Sequence, residues 1–364
     1  MGFETFHGNR GVVDRLREML ARDRFPHAII LSGPRGAGKY TLVQMIAKTM
    51  NCESPPAGAL PDFCGVCDSC QKIAQADDVD ARFAEAVDAR DSLREADKKE
   101  TRILVQTHPE VIVIPPDPPQ MMIKVDQVRH VIETAYHRPG KGMRRVYIFT
   151  DSAFMKEAAN SLLKILEEPP DFATIFLLTD NPGEFLPTIR SRCVTFSLAP
   201  LKPKEIEAFL ARVHPEWNMS SRQLAARISG GAVGGAASFD LAAYTDARKD
   251  ALVLLHAAID AQDHSALFKT TESYRAGGEG RAKTEQLIRT LYWLLEDMLV
   301  LKSNAPDMLR NTDMAPELKR LAESVDFNWI STSAERLNDV ETGMRRNLLR
   351  SLSLDAFATS LARE

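Results

Sequence analysis

Residues 28–42, AIILSGPRGAGKYTL, constrain the fold of this chain more than any other stretch. Ala28, Ile29, Ile30 and Leu31 suit a strand buried on both faces. Gly33, Gly36, Gly38 and Lys39 follow with the spacing G-x-x-x-x-G-K. YTLVQMIAKTM then continues with helical periodicity. Strand, glycine turn and helix in that order let backbone N–H groups turn inward around a phosphate. The helix N-terminus supplies partial positive charge, and Lys39 neutralises the outer phosphates. One position departs from the pattern. A working site places a Ser or Thr hydroxyl directly after the lysine to hold Mg²⁺, and here Tyr40 stands there. Thr41 points elsewhere along the helix. The nucleotide-binding residues of such a degenerate loop are Gly33, Gly36, Gly38, Lys39 and Thr41, and productive Mg·ATP hydrolysis is not expected of it.

Further strands are expected in EVIVIPP (110–116), RRVYIFT (144–150), ATIFLLT (173–179) and VTFSL (194–198). Helical spacing marks 9–24 and AANSLLKILEE, 158–168. Strands alternating with helices predict a parallel α/β sheet covered on both faces. Phosphoryl transfer in such sheets uses an Asp on a distal strand to hold Mg²⁺, often with a Glu beside it. The strand RRVYIF ends in Thr150-Asp151-Ser152, with one carboxylate where a pair is wanted. Asp151 is therefore read as the N-cap of a helix beginning in SAFMKEAANSLLKIL.

Two prolines in LAPLKPKE (198–205) suit a domain boundary. A small helical unit follows, reaching the glycine-rich SGGAVGGAA (229–237). Beyond 246 no strand signal remains. TEQLIRTLYWLLEDMLVLK places Leu287, Ile288, Leu291, Leu294, Leu295, Met298 and Leu299 on one broad apolar face, which reads as core. The expected division is 1–200, 201–245 and 246–364.

Cys52, Cys64, Cys67 and Cys70 form C-x11-C-x2-C-x2-C. Two overlapping C-x2-C turns close on one ion and a distant thiolate completes a tetrahedron, so a structural Zn²⁺ within an insert at 52–70 is expected. Four protein ligands leave no open position for chemistry. The insert carries few basic residues and no obvious stacking aromatics, which argues against a nucleic-acid-binding zinc module. The charge-dense stretch 77–102 mixes both signs, as an exposed helix or arm does. A net charge of −4 gives no global field for nucleic acid. No apolar run approaches the roughly 20 residues of a membrane helix, and MGFETFHGNRG lacks a signal peptide's apolar segment, so a cytoplasmic chain is expected. Cys193, in PTIRSRC, reads as a small core residue at a strand start. Arg192 beside it reads as a surface ion-pair partner, or as a guanidinium on a rigid turn able to reach another subunit's phosphates.

Taken together, GPRGAGK, the four-cysteine insert, NSLLKILEEPP, FLLT and PTIRSRC resemble the clamp-loader branch of the AAA+ superfamily over essentially all of 1–243 and more loosely beyond. That resemblance implies an AAA+ phosphate-loop domain with an inserted zinc module, a helical lid, and an all-α collar holding a five-subunit ring together. It implies ATP sites lying between neighbours, with Arg192 as an arginine finger serving the adjacent subunit. The partners implied are the ATP-hydrolysing tau or gamma subunits and the clamp-opening delta subunit of bacterial DNA polymerase III, and indirectly the sliding clamp and primed DNA. Within the family the chain resembles the ATP-hydrolysing subunit less. The hydroxyl after Lys39 is missing, the acidic pair is reduced, and the second domain's nucleotide-contacting arginine is replaced by Gly234.

Overall fold

The computed structural model describes residues 2–140, 143–259, 264–275, 278–345 and 349–361, with backbone alone at 99, 100, 278, 279 and 345. The chain divides into two compact units, Met1–Glu205 with Gly231–Gly235, and Ile206–Gly230 with Ala236–Glu364. The stretch 201–245 is thereby apportioned between them.

The first unit is built on a six-stranded sheet. After helix α1 (Arg10–Ala21) come strand β1 (Ala28–Ser32) and helix α2 (Lys39–Asn51). Three further helices, α3 (Asp68–Ala74), α4 (Val79–Asp91) and α5 (Glu95–Glu100), precede β2 (Val105–His108) and β3 (Val111–Ile114). The unit continues through α6 (Val125–Ala135), β4 (Arg145–Phe149), α7 (Lys156–Glu167), β5 (Ala173–Thr179), α8 (Pro187–Arg190) and β6 (Val194–Ser197). Strand order is β2-β3-β4-β5-β1-β6. Five strands run parallel as expected, but β2 pairs antiparallel with β3, which corrects the all-parallel expectation. The reason is the short link between them: two residues permit a hairpin, and a parallel return needs a crossover.

The pleat sorts the apolar residues into two layers. Ile29, Leu31, Val111, Val113, Val146, Ile148, Phe176 and Leu178 face α1, α2 and α3. Ala28, Ile30, Ile112, Ile114, Tyr147, Phe149, Ile175 and Leu177 face α6, α7 and α8. Burial on both faces is why these strands read as continuous apolar runs. Helix α4 buries no residue along its length, as its mixed charge predicts, but its end is pinned. Arg90 pairs with the buried Asp117 at 2.6 Å, and Lys124 reaches the same carboxylate at 2.8 Å.

The second unit is helical. Helix α9 (Pro203–Val213) crosses its boundary, α10 (Met219–Ile228) follows, and α11 (Val233–Ala237) crosses back. Next come α12 (Leu241–Ile259), α13 (Ser265–Glu272), α14 (Gly278–Lys302), α15 (Ala315–Ser324), α16 (Phe327–Arg345) and α17 (Arg350–Leu361). Six of the seven residues singled out on α14 lie in the core; Leu299 is 41% exposed. Tyr244 of α12 is buried against Leu224 and Ile228 of α10. Its hydroxyl donates to Asn311 Oδ1 at 2.6 Å.

Asp297 anchors that region. It is fully buried, and its carboxylate accepts from Arg310 N–H (2.8 Å), Asn311 N–H (2.9 Å) and the Asn311 side-chain amide (2.8 Å). Removing it strands three donors, each costing about 1–3 kcal/mol when buried and unpaired. Asp297→Ala should lower the stability of this unit by about 3–5 kcal/mol, read as a fall in urea midpoint at constant slope.

Candidate functional site

The glycine loop joins β1 to α2 at the carboxyl end of the sheet. Gly36 and Gly38 adopt φ of 80° and 88°, a region closed to most side chains. At Gly33 an added Cβ would stand 2.6 Å from the Leu198 carbonyl oxygen, so the loop passes hard against the chain leaving β6. The loop meets the protein through one backbone donor, one carbonyl and its lysine. Ala37 N–H donates to Pro34 C=O at 3.0 Å, and Gly234 N–H donates to Gly36 C=O at 2.8 Å. Gly234, which stands in place of an arginine, meets the loop through its backbone. Lys39 Nζ donates to Gly33 C=O (2.6 Å), Pro34 C=O (3.1 Å) and Asp180 Oδ1 (2.5 Å).

Tyr40 turns away from the loop. Its hydroxyl donates to Ala76 C=O at 2.6 Å and accepts from Gln44 Nε2, and its ring packs with the α1–α2 core. Burial pushes the phenol's pKa up, so it stays protonated and offers no anionic oxygen to a metal. Thr41 is exposed on α2.

Asp151 does not cap α7. Its Oδ1 accepts from Ala153 N–H at 2.9 Å, and the helix starts only at Lys156 with Met155 as its N-cap. Ile123 N–H donates to Ala153 C=O at 2.7 Å and Met155 N–H to Ile123 C=O at 3.0 Å, which holds 153–155 extended and delays the helix. Beside it, Thr179 Oγ1 donates to Ser152 Oγ at 3.1 Å, and Ser152 in turn donates to the Glu184 carboxylate.

Arg192 lies on the turn between α8 and β6. Its guanidinium donates to Thr188 C=O (2.9 Å) and pairs with Glu167 Oε1 (2.7 Å) at the end of α7. The side chain is 35% exposed. The NSLLKILEE and SRC segments therefore meet in one ion pair. Ser197 pairs with Ser32, and Arg192 precedes it by five residues. Only Val194–Ser197 of that span is strand, three steps of about 3.3 Å, so the turn that carries Arg192 enters β6 about 10 Å back along the strands, at the end of the sheet opposite its own loop. Cys193 packs against the α6–α7 core, as expected, and burial raises its thiol to about 12.

The sulfurs of Cys52, Cys64, Cys67 and Cys70 all lie within 4.8 Å of one another. Tetrahedral Zn²⁺–S bonds of about 2.3 Å set thiolates just under ~4 Å apart, so the four residues fit one metal ion. Cys67 N–H donates to Cys64 Sγ (3.3 Å) and Cys70 N–H to Cys67 Sγ (3.4 Å), the backbone arrangement that favours thiolates. Backbone N–H donors from Val66 and Cys67 bring Cys64 down to about 6, whereas burial pushes Cys52 and Cys70 up.

Sequence reasoning missed Asp180. The signal was the strand-end position: FLLT is followed directly by an acid, on the strand adjacent to β1.

The family model described as "DNA polymerase III, delta subunit" matches residues 8–202. The tau subunit of DNA polymerase III from Salmonella typhimurium is 26% identical over 347 residues, covering 89% of this chain and 48% of that protein. The delta' subunit from Pseudomonas aeruginosa is 32% identical over 174 residues, covering 48% of this chain and 43% of that protein. This chain spans 32% to 57% of the length of three tau and gamma/tau relatives it matches. A gamma-subunit-related protein of Thermotoga maritima superposes over 96% of this chain and 98% of its own at 15% identity, with a TM-score of 0.34, too loose for any inference.

Proposed function

The chain belongs to the DNA polymerase III, delta subunit family, and from that premise we propose that it is a non-hydrolysing, delta-prime-type subunit of a cytoplasmic clamp loader. In this reading it stands in a ring with tau or gamma ATPase subunits and a delta subunit. Arg192 is lent to the neighbour's ATP, where a guanidinium stabilises charge developing on the γ-phosphate. Hydrolysis in the neighbours then drives loading of the sliding clamp onto primed DNA. The three expected parts become an AAA+ domain with its zinc insert (1–200), a lid (201–245) and a collar (246–364).

One observation carries the reading. Arg192 and Lys39 lie at opposite ends of the same sheet, so the arginine cannot serve its own loop, and only its part-exposed contacts with Glu167 and Thr188 would have to open for it to serve another chain. The state of the loop supports the non-hydrolysing half: Tyr40 is bonded to Ala76, and Lys39 is bonded to carbonyls and Asp180. The alternative is an ATP-hydrolysing tau- or gamma-type subunit, favoured by the long match to a tau protein. It requires a metal-anchoring oxygen after Lys39, which Tyr40 does not supply.

Cys52, Cys64, Cys67 and Cys70 would hold a structural Zn²⁺. With four protein thiolates the ion organises the insert and offers no site for a reacting group.

The purified chain, alone with Mg·ATP, should release no phosphate above a Lys39→Ala control. Turnover abolished by that substitution would replace this reading with the ATPase one.

A further inference from the structure

We infer that Asp180 is an internal plug. Its carboxylate occupies the lysine that the outer phosphate of a nucleoside triphosphate needs, and so keeps the glycine loop shut to nucleotide. The inference rests on reading this loop as a degenerate phosphate site, and it is independent of the role of Arg192.

An ammonium has three N–H donors, and all three of Lys39 are spent: Gly33 C=O at 2.6 Å, Pro34 C=O at 3.1 Å and Asp180 Oδ1 at 2.5 Å. The Lys39 side chain is only 11% exposed, so little water competes for it. The sheet register produces the contact. Thr179 pairs with Ser32, so Asp180 and Gly33 leave their strands side by side. The loop is also closed from its other side, where the Gly36 carbonyl accepts from Gly234 N–H at 2.8 Å and an added Cβ on Gly36 would stand 2.9 Å from Gly235 N. A phosphate approaching Lys39 therefore meets a charge already neutralised and a like charge beside it. Both oppose binding until the Lys39–Asp180 pair is broken.

Asp180→Asn removes the charge and keeps the shape, and Asp180→Ala removes both. The Asp180 side chain is 59% exposed, so neither variant should disturb the fold, which circular dichroism checks. The experiment is equilibrium dialysis of the full chain against ATP, with and without Mg²⁺. Wild type is expected to bind weakly, and each variant about ten- to a hundred-fold more tightly, the worth of one charge-assisted hydrogen bond. The Lys39→Ala/Asp180→Asn double variant should fall back to the wild-type level. The plug is overturned if both single variants bind no better than wild type, or if the double variant keeps the gain. Phosphate release measured in the same samples reports on the non-hydrolysing reading instead, so the two ideas fail separately.

Discussion

A clamp-loader complex reconstituted with the Arg192→Ala chain should assemble normally and lose on the order of 10³-fold in hydrolysis at the one ATP site that Arg192 faces, which lowers the complex's DNA-stimulated turnover while the other sites keep theirs. The two halves of that expectation come from different physics. In the isolated chain, Arg192 makes a solvent-exposed pair with Glu167, and such pairs contribute about 0–1 kcal/mol. Its removal should leave melting and subunit exchange within error of wild type. In the ring the same guanidinium would face a γ-phosphate, in a site from which water is excluded, and there one arginine finger is worth thousands-fold in rate. Arg192→Lys separates charge from geometry. An ammonium keeps the charge but loses the planar fork, so the variant should recover only part of the loss. Hydrolysis at the wild-type rate with Arg192→Ala present would remove the trans role and leave Arg192 as a surface ion pair.

The same arginine shows which parts of the molecule its sequence carries. Local signals survived folding well. The apolar runs became strands, the glycine–lysine spacing became a turn feeding a helix, and the four cysteines converged. Each of these is decided within a few turns of chain, by periodicity or by ligand spacing. What was illegible depends on register between distant segments. Asp180 reaches Lys39 across 141 positions only because β5 lies beside β1 with Thr179 against Ser32. Strand β2 is short and buried only at its two ends, Val105 and His108, and its antiparallel sense follows from the link to β3, which composition does not reveal. The misreading of Asp151 has the same origin. Its sequence suits an N-cap, but Ile123 pairs with the intervening segment and keeps it extended. Tyr40 shows the complementary case. Its identity excluded the metal-holding hydroxyl from sequence, while its anchorage on Ala76 required the packing of α2 against the turn after α3.

Stripping zinc, or changing Cys67 to Ser, should lower the stability of the sheet unit by several kcal/mol and its melting midpoint by about 10 °C or more. Residues 53–66 run between Cys52 at the end of α2 and Cys67 at the start of α3 without helix or strand of their own. Some of their ordering comes from the protein. Phe63 is buried against Phe3, and Arg17 donates to Pro61 C=O (2.9 Å) and Leu60 C=O (3.1 Å). Those bonds tether one end of the loop, whereas the cysteines tie both ends to helices packed in the same core. Without a metal the four thiols would face one another with Cys52 and Cys70 protonated by burial, joined only by weak N–H···Sγ bonds. A divalent cation displaces those protons, so zinc affinity should rise with pH and weaken in acid. Elemental analysis should return one zinc per chain at neutral pH. In the reconstituted complex, a folded Cys67→Ser chain kept below its lowered midpoint should still support hydrolysis, because four thiolate ligands leave the ion no part in any chemical step. A zinc-free preparation melting with the wild type would mean that packing of Phe63 and the Arg17 bonds suffices to hold the insert.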